Sequence, residues 1–245
     1  MTMNLHTILK SVEKPGRYTG GEWGQTIKDK NAVDVRFAFC FPDNYEIGMS
    51  NLGIRILYGV LNNEENVWCE RAYAPWPDME EKMREYGIPL YAHESGDPLS
   101  DFDIVGFTLQ YELCYTNVLN MLELGGIPLL ASERGENDPI IIGGGPCAYN
   151  AEPIADFFDV LDIGEGEEML PRFTRMYAKM KREGASRAEI LRATSHLDGF
   201  YVPALYEVEY GADGTISSFE PKYDDIPRTV QKQIIADLDS VYFPD

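Results

Sequence analysis

The sequence predicts an α/β protein, a doubly wound (Rossmann-like) parallel sheet of about five strands, with an N-terminal arm and a small C-terminal α+β extension carrying a hairpin. Three observations predict it. Short, mostly apolar runs recur at 35–41, 67–69, 103–109, 139–142 and 157–163. Helical periodicity fills the intervals between them. Most of the runs end in proline or glycine, as buried parallel strands do before a turn.

Val35-Arg36-Phe37-Ala38-Phe39-Cys40-Phe41 closes at Pro42 and reads as the first buried strand. The next helix takes Ser50 as its N-cap and places Leu52, Ile56, Leu57, Val60 and Leu61 on one face. Val67-Trp68-Cys69 is the second strand, and Trp76 to Tyr86, opening Pro-Asp, the second helix. Asp103 to Leu109 is a strand, followed by a helix through Leu113, Val118, Leu119 and Leu122 that stops at Gly125-Gly126. Pro139 to Ile142 and Phe157 to Ile163 are further strands, and Glu165 to Arg182 is a long amphipathic helix. Alternation at this spacing implies right-handed crossovers in one sheet.

The chain divides into four parts. Residues 1–33 form a basic arm with net charge +2, a short helix near 3–13 and the turn chemistry of Lys14-Pro15-Gly16-Arg17-Tyr18. It is expected to lie along the acidic body. Residues 34–185 are the sheet domain. Residues 186–220 hold a short helix (186–193) and two β runs flanking Gly211-Ala212-Asp213-Gly214, a hairpin signal. Residues 221–245 read as an extended linker.

The 245 residues carry 21 Lys+Arg against 41 Asp+Glu, a net charge of −20. So acidic a chain offers no footprint for a phosphate backbone or an anionic membrane. No apolar run reaches the roughly 18 residues of a membrane span, and the N-terminus lacks a signal-peptide core, so a cytoplasmic protein is expected. The cysteines Cys40, Cys69, Cys114 and Cys147 stand about thirty residues or more apart, and His6, His93 and His196 are equally scattered. Neither spacing suits a metal centre, and each cysteine reads as a small buried hydrophobe.

Ligands of open α/β sheets bind beyond the carboxyl ends of the strands. Those ends hold Asp43, Tyr45 and Gly48 after the first strand and Thr108 and Gln110 after the middle one. Gly143, Gly144 and Gly145 follow the next strand, and Gly164 and Glu165 the last. Glycines there admit close approach of a flat ligand. A dinucleotide fingerprint is absent, since Gly164-Glu165-Gly166 continues to Met169 where a third glycine belongs, and no Walker A lysine is present.

In order and position these strand ends resemble the cobalamin-binding domain that precedes the catalytic barrel of many radical S-adenosylmethionine (SAM) enzymes. That pattern is Asp-x-His-x-x-Gly, then Ser-x-Leu, then Gly-Gly. Here the counterparts are Asp43-Asn44-Tyr45-Glu46-Ile47-Gly48, Thr108-Leu109-Gln110 and Gly143-Gly144-Gly145, with Gly164-Glu165-Gly166-Glu167 similar to the closing motif. Lys14 to Tyr18, Phe41-Pro42-Asp43 and Tyr45 to Ser50 are similar to one uncharacterised group of radical SAM proteins.

The resemblance implies a cobalamin-binding-like accessory domain whose partner is a downstream radical SAM barrel. That barrel would hold the [4Fe–4S] cluster and S-adenosylmethionine, since no Cys-x-x-x-Cys-x-x-Cys occurs here. The final Val241-Tyr242-Phe243-Pro244-Asp245 looks like the run-in to it. Tyr45 replaces the histidine that ligates cobalt and Gln110 stands where the pattern has Leu; no other histidine lies in this segment to take over. A phenol is a poor cobalt ligand at neutral pH. The expectations are therefore base-off cobalamin with no histidine ligand, a domain that shapes the cavity over the cluster, or a ligand-free interaction domain. A stand-alone hydrolase or transferase using Asp43, Glu46 and Glu165 ranks last, and no residue is assigned a catalytic role.

Overall fold

The computed structural model describes residues 5–244. The elements run α1 (Leu5–Leu9), β1 (Val35–Phe41), α2 (Tyr45–Ser50), α3 (Leu52–Asn62), β2 (Val67–Tyr73), α4 (Pro77–Tyr86), β3 (Ile104–Thr108), α5 (Tyr115–Leu124), β4 (Ile140–Gly144), β5 (Val160–Asp162), α6 (Gly166–Arg182), α7 (Arg187–Thr194), β6 (Phe200–Tyr201), β7 (Tyr206–Tyr210) and β8 (Ile216–Pro221). Residues 3 and 4 of the expected first helix, and Asp245, lie outside the described residues.

Strands β1–β6 form one sheet in the order β2-β1-β3-β4-β5-β6, and β7 and β8 pair separately as the hairpin. All pairs among β1–β5 are parallel, while β6 adds an antiparallel edge through Leu161↔Tyr201. The doubly wound prediction holds, with this short sixth strand added.

Alternation along β1 explains the two layers. Val35, Phe37, Phe39 and Phe41 face Ile54, Tyr58 and Leu61 of α3 and Leu170 and Phe173 of α6. Ala38 and Cys40 face the other way, toward Met79 and Met83 of α4, Val118 and Met121 of α5, and Ile8 of α1. All four cysteines are buried and free.

Several boundaries differ from expectation for local reasons. Asn51, not Ser50, caps α3, its side chain accepting from the Ile54 N–H at 3.1 Å. Asn44 does the same for Ile47, which turns the expected loop after β1 into α2. The buried face of α3 is set by Ile54, Tyr58, Val60 and Leu61, while Leu52 is exposed. Strand β2 continues past Cys69 to Tyr73 because Glu70 and Arg71 find buried partners in Arg36 and Glu94. Residues 152–157 are 3-10 turns, so the fifth strand is shorter than 157–163.

The arm is held by directed bonds. Lys14 and Arg17 both reach Glu46, at 3.0 and 2.9 Å. Lys28 donates to the carbonyls of Asn62, Glu64 and Val67, and Trp68 Nε1 donates to Thr26 O at 3.0 Å. At the other end, the segment after β8 returns to the sheet. Gln233 bridges Gly164 in parallel, accepting from the Glu165 N–H and donating to Ile163 O.

Candidate active-edge cavity

With this strand order the direction in which successive strands are added reverses between β1 and β3, the place where open α/β sheets hold ligands. A cavity of about 230 Å³ opens there, on the α3–α6 side of the carboxyl edge. Phe39 of β1, Ile54 and Leu57 of α3, Ile142 of β4 and Leu170 of α6 give it apolar walls. Six of the residues lining it are glycines: Gly53, Gly106, Gly144, Gly145, Gly164 and Gly166.

Six sequence-predicted residues meet at this cavity: Thr108, Gln110, Gly144, Gly145, Gly164 and Glu165. The Gln110 amide donates to the Thr108 hydroxyl. Gly164 has φ +146°, and a Cβ there would stand 2.4 Å from Gln233 O, so only glycine lets the returning segment cross. The Glu165 carboxylate accepts from the Ile235 N–H, which occupies it in holding that segment.

The other four lie elsewhere. A Cβ on Gly143 would meet Phe158 at 2.7 Å, on the opposite layer. Gly48 lets α2 press against the Tyr73 ring. Asp43 caps its own loop by accepting from Asn44 N at 2.7 Å and from the Tyr111 hydroxyl at 3.0 Å. Tyr45 donates its hydroxyl to Glu22 of the arm, and its ring stacks on His93 with centroids 5.7 Å apart. Burial and then Glu22 push its phenol up to about 12.

Tertiary folding thus brings a histidine to Tyr45 after all. His93 is packed edge-on against Tyr73 as well, its Nδ1 is buried without a partner among the described residues, and burial followed by Arg71 lowers it to about 4, so it is neutral. Covered by two aromatic rings, it does not face the cavity, which neither ring lines. The residues present therefore do not supply a lower ligand to cobalt. Among the described residues no three His, Cys, Asp or Glu side chains gather as a metal site.

One cavity residue was not singled out from the sequence. Asp162, the last residue of β5, is 6% exposed, and its side chain has no hydrogen-bond partner among the described residues. Burial, with Glu167 adding repulsion, lifts its carboxyl to about 7. A signal was present: strand alternation puts Asp162 on the same face as the buried Val160, where an apolar residue is the norm.

The family model for the N-terminal region of radical SAM proteins matches residues 53–203 of this chain. The chain belongs to that family. The radical SAM N-terminal match takes in most of the cavity lining, including Thr108, Gly144, Asp162 and Glu165, and begins after Asp43, Tyr45 and Gly48. The chain is also similar to MJ0966, an uncharacterized protein of Methanocaldococcus jannaschii. The two are 29% identical over 133 residues, which is 53% of this chain and 24% of that protein. No solved structure matches the chain significantly. Among the described residues no helix is long and apolar enough to cross a membrane.

Proposed function

We propose that this domain is the accessory part of a radical SAM enzyme, turning the carboxyl edge of its sheet toward a downstream catalytic domain and shaping the cavity there. In that arrangement the [4Fe–4S] cluster and S-adenosylmethionine belong to the downstream domain, and this chain contributes surface and enclosure. One observation carries the reading. The segments that follow β1, β2, β3 and β4 each bear an exposed large apolar side chain: Ile47, Trp76, Leu113 (84% exposed) and Tyr149 (53%). In the segments leading into β2, β3 and β4, Leu130 alone among the described residues does so, at 36%. Apolar side chains gathered at one edge are a mark of an interface.

Hydrogen–deuterium exchange on the full-length protein and on residues 1–245 tests this. Slower exchange at 110–116 and 146–151 in the full-length protein supports it, and identical exchange overturns it. A salt titration of the association separates apolar docking, which persists, from docking through the acidic surface, which weakens as salt rises.

Cobalamin held base-off, with no ligand from the protein, is the second reading. The glycine-rich strand ends favour it, and the pinned Tyr45 confines it to that form. Incubation with hydroxocobalamin, desalting and a visible spectrum test it. Without retained corrin absorbance, the domain acts by its surface and cavity shape alone.

A further inference from the structure

We propose that the cavity beside Asp162 is a binding site for a compact planar cation, an amidinium or a protonated amino-heterocycle, whose N–H groups reach the Asp162 carboxylate. The size fits one ring system, since drug-sized ligands fill roughly 300–1,000 Å³. The walls are apolar, from Phe39, Ile54, Leu57 and Leu170, as a flat ring requires.

The polar side is one-signed. Asp162 projects over Gly144, where a Cβ would stand 2.6 Å from its Oδ1, so the glycine makes the space the carboxyl occupies. Among the described residues, Glu165 and Glu167 are the other titratable groups lining the cavity, and no lysine, arginine or histidine does. The N-terminus of α6 would ordinarily invite an anion. Here Glu165 at its cap and Glu167 and Glu168 in its first turn already oppose its positive end. An unpartnered buried carboxyl costs stability unless a ligand donates to it. Asp162 is therefore spent on nothing the fold itself uses.

Benzamidine is the probe, with benzoate as the anion of the same shape, each titrated calorimetrically into the full 245-residue chain. Benzamidine is expected to bind at pH 8, and to weaken as pH falls below about 7, where Asp162 takes up a proton. Benzoate is expected not to bind. Asp162→Asn should weaken benzamidine about tenfold or more, the scale of losing a charged hydrogen bond. Glu167→Gln, which removes charge without a direct contact, should cost about two- to threefold. The far-ultraviolet circular dichroism of each variant checks its fold. Absent benzamidine binding at millimolar concentration, equal binding by benzoate, or undiminished binding by a folded Asp162→Asn would each overturn the proposal. None of these results bears on the docking edge, whose readout is exchange protection.

Discussion

The carboxyl of Asp162 packs directly over the bare backbone of Gly144, one strand away, with no donor to it among the described residues. Burial holds this carboxyl at about 7 against an ordinary 3.8. Between those values the unfolded chain has released the proton and the folded chain keeps it, so stability falls as pH rises from about 4 to 7 and then levels off. Asp162→Asn should remove that loss and stabilise the protein at pH 8 by on the order of 1 kcal/mol or more. Urea midpoints at pH 5 and pH 8 measure it. A residue that weakens binding and raises stability when replaced is retained for function rather than for folding.

The arm responds to acid through Glu46. Hydrogen bonds from Arg17 first, and from Lys14, hold its carboxyl at about 2, below an ordinary 4.5. The contact is complete above pH 4.5 and is lost as pH falls from there toward 2. Its side chain is 42% exposed, so solvent screening keeps the contribution below about 1 kcal/mol. Arg17 lies 4.8 Å over the Trp76 ring, so tryptophan fluorescence should report release of the arm in that window. Glu46→Gln should abolish the transition.

Gly164→Ala tests the returning segment. A side chain at φ +146° is strained and would collide with Gln233 O. The expected cost is about 1–3 kcal/mol, with faster protease cleavage between residues 222 and 244. Wild-type cleavage kinetics in the variant would show that the segment is held by something other than the bonds at Gly164 and Glu165.

Asp159 anchors the edge of β5. It accepts from Arg134 at 2.9 Å and from the Ile141 N–H at 2.8 Å, and pairs ionically with Arg187 at 2.7 Å, while only 2% exposed. Asp159→Asn leaves two nearly buried guanidinium groups without their counter-charge. A loss of about 3–5 kcal/mol is expected in chemical denaturation.

The sheet was legible because its strands are buried on both faces. Runs such as Ile140-Ile141-Ile142 exclude water whatever packs on them, and the glycines and prolines that end them are local signals. Strand order was not written in any run. It depends on which strands pair across crossovers of thirty residues, and β6 became an edge strand because Phe200 and Tyr201 found partners in Phe173 and Tyr206.

The candidate site divides the same way. Thr108, Gly144, Gly145 and Gly164 follow from the rule that ligands meet strand ends, and they do meet there. Tyr45, Gly48 and Asp43 sit at a strand end too, yet the arm and the Asn44 cap fold Tyr45 and Gly48 into α2, and Asp43 is held in the loop before it, away from the cavity. By itself the sequence determined the alternation of strands and helices, the acidic charge and the glycine-rich edge, all of which are properties of near neighbours in the chain. Tertiary structure alone decided that Glu165 is consumed by Ile235, that His93 is sealed beneath Tyr45, and that Asp162 is left without a partner among the described residues. Hydrogen-bond satisfaction and desolvation depend on residues tens of positions away, and those distances close only when the chain folds.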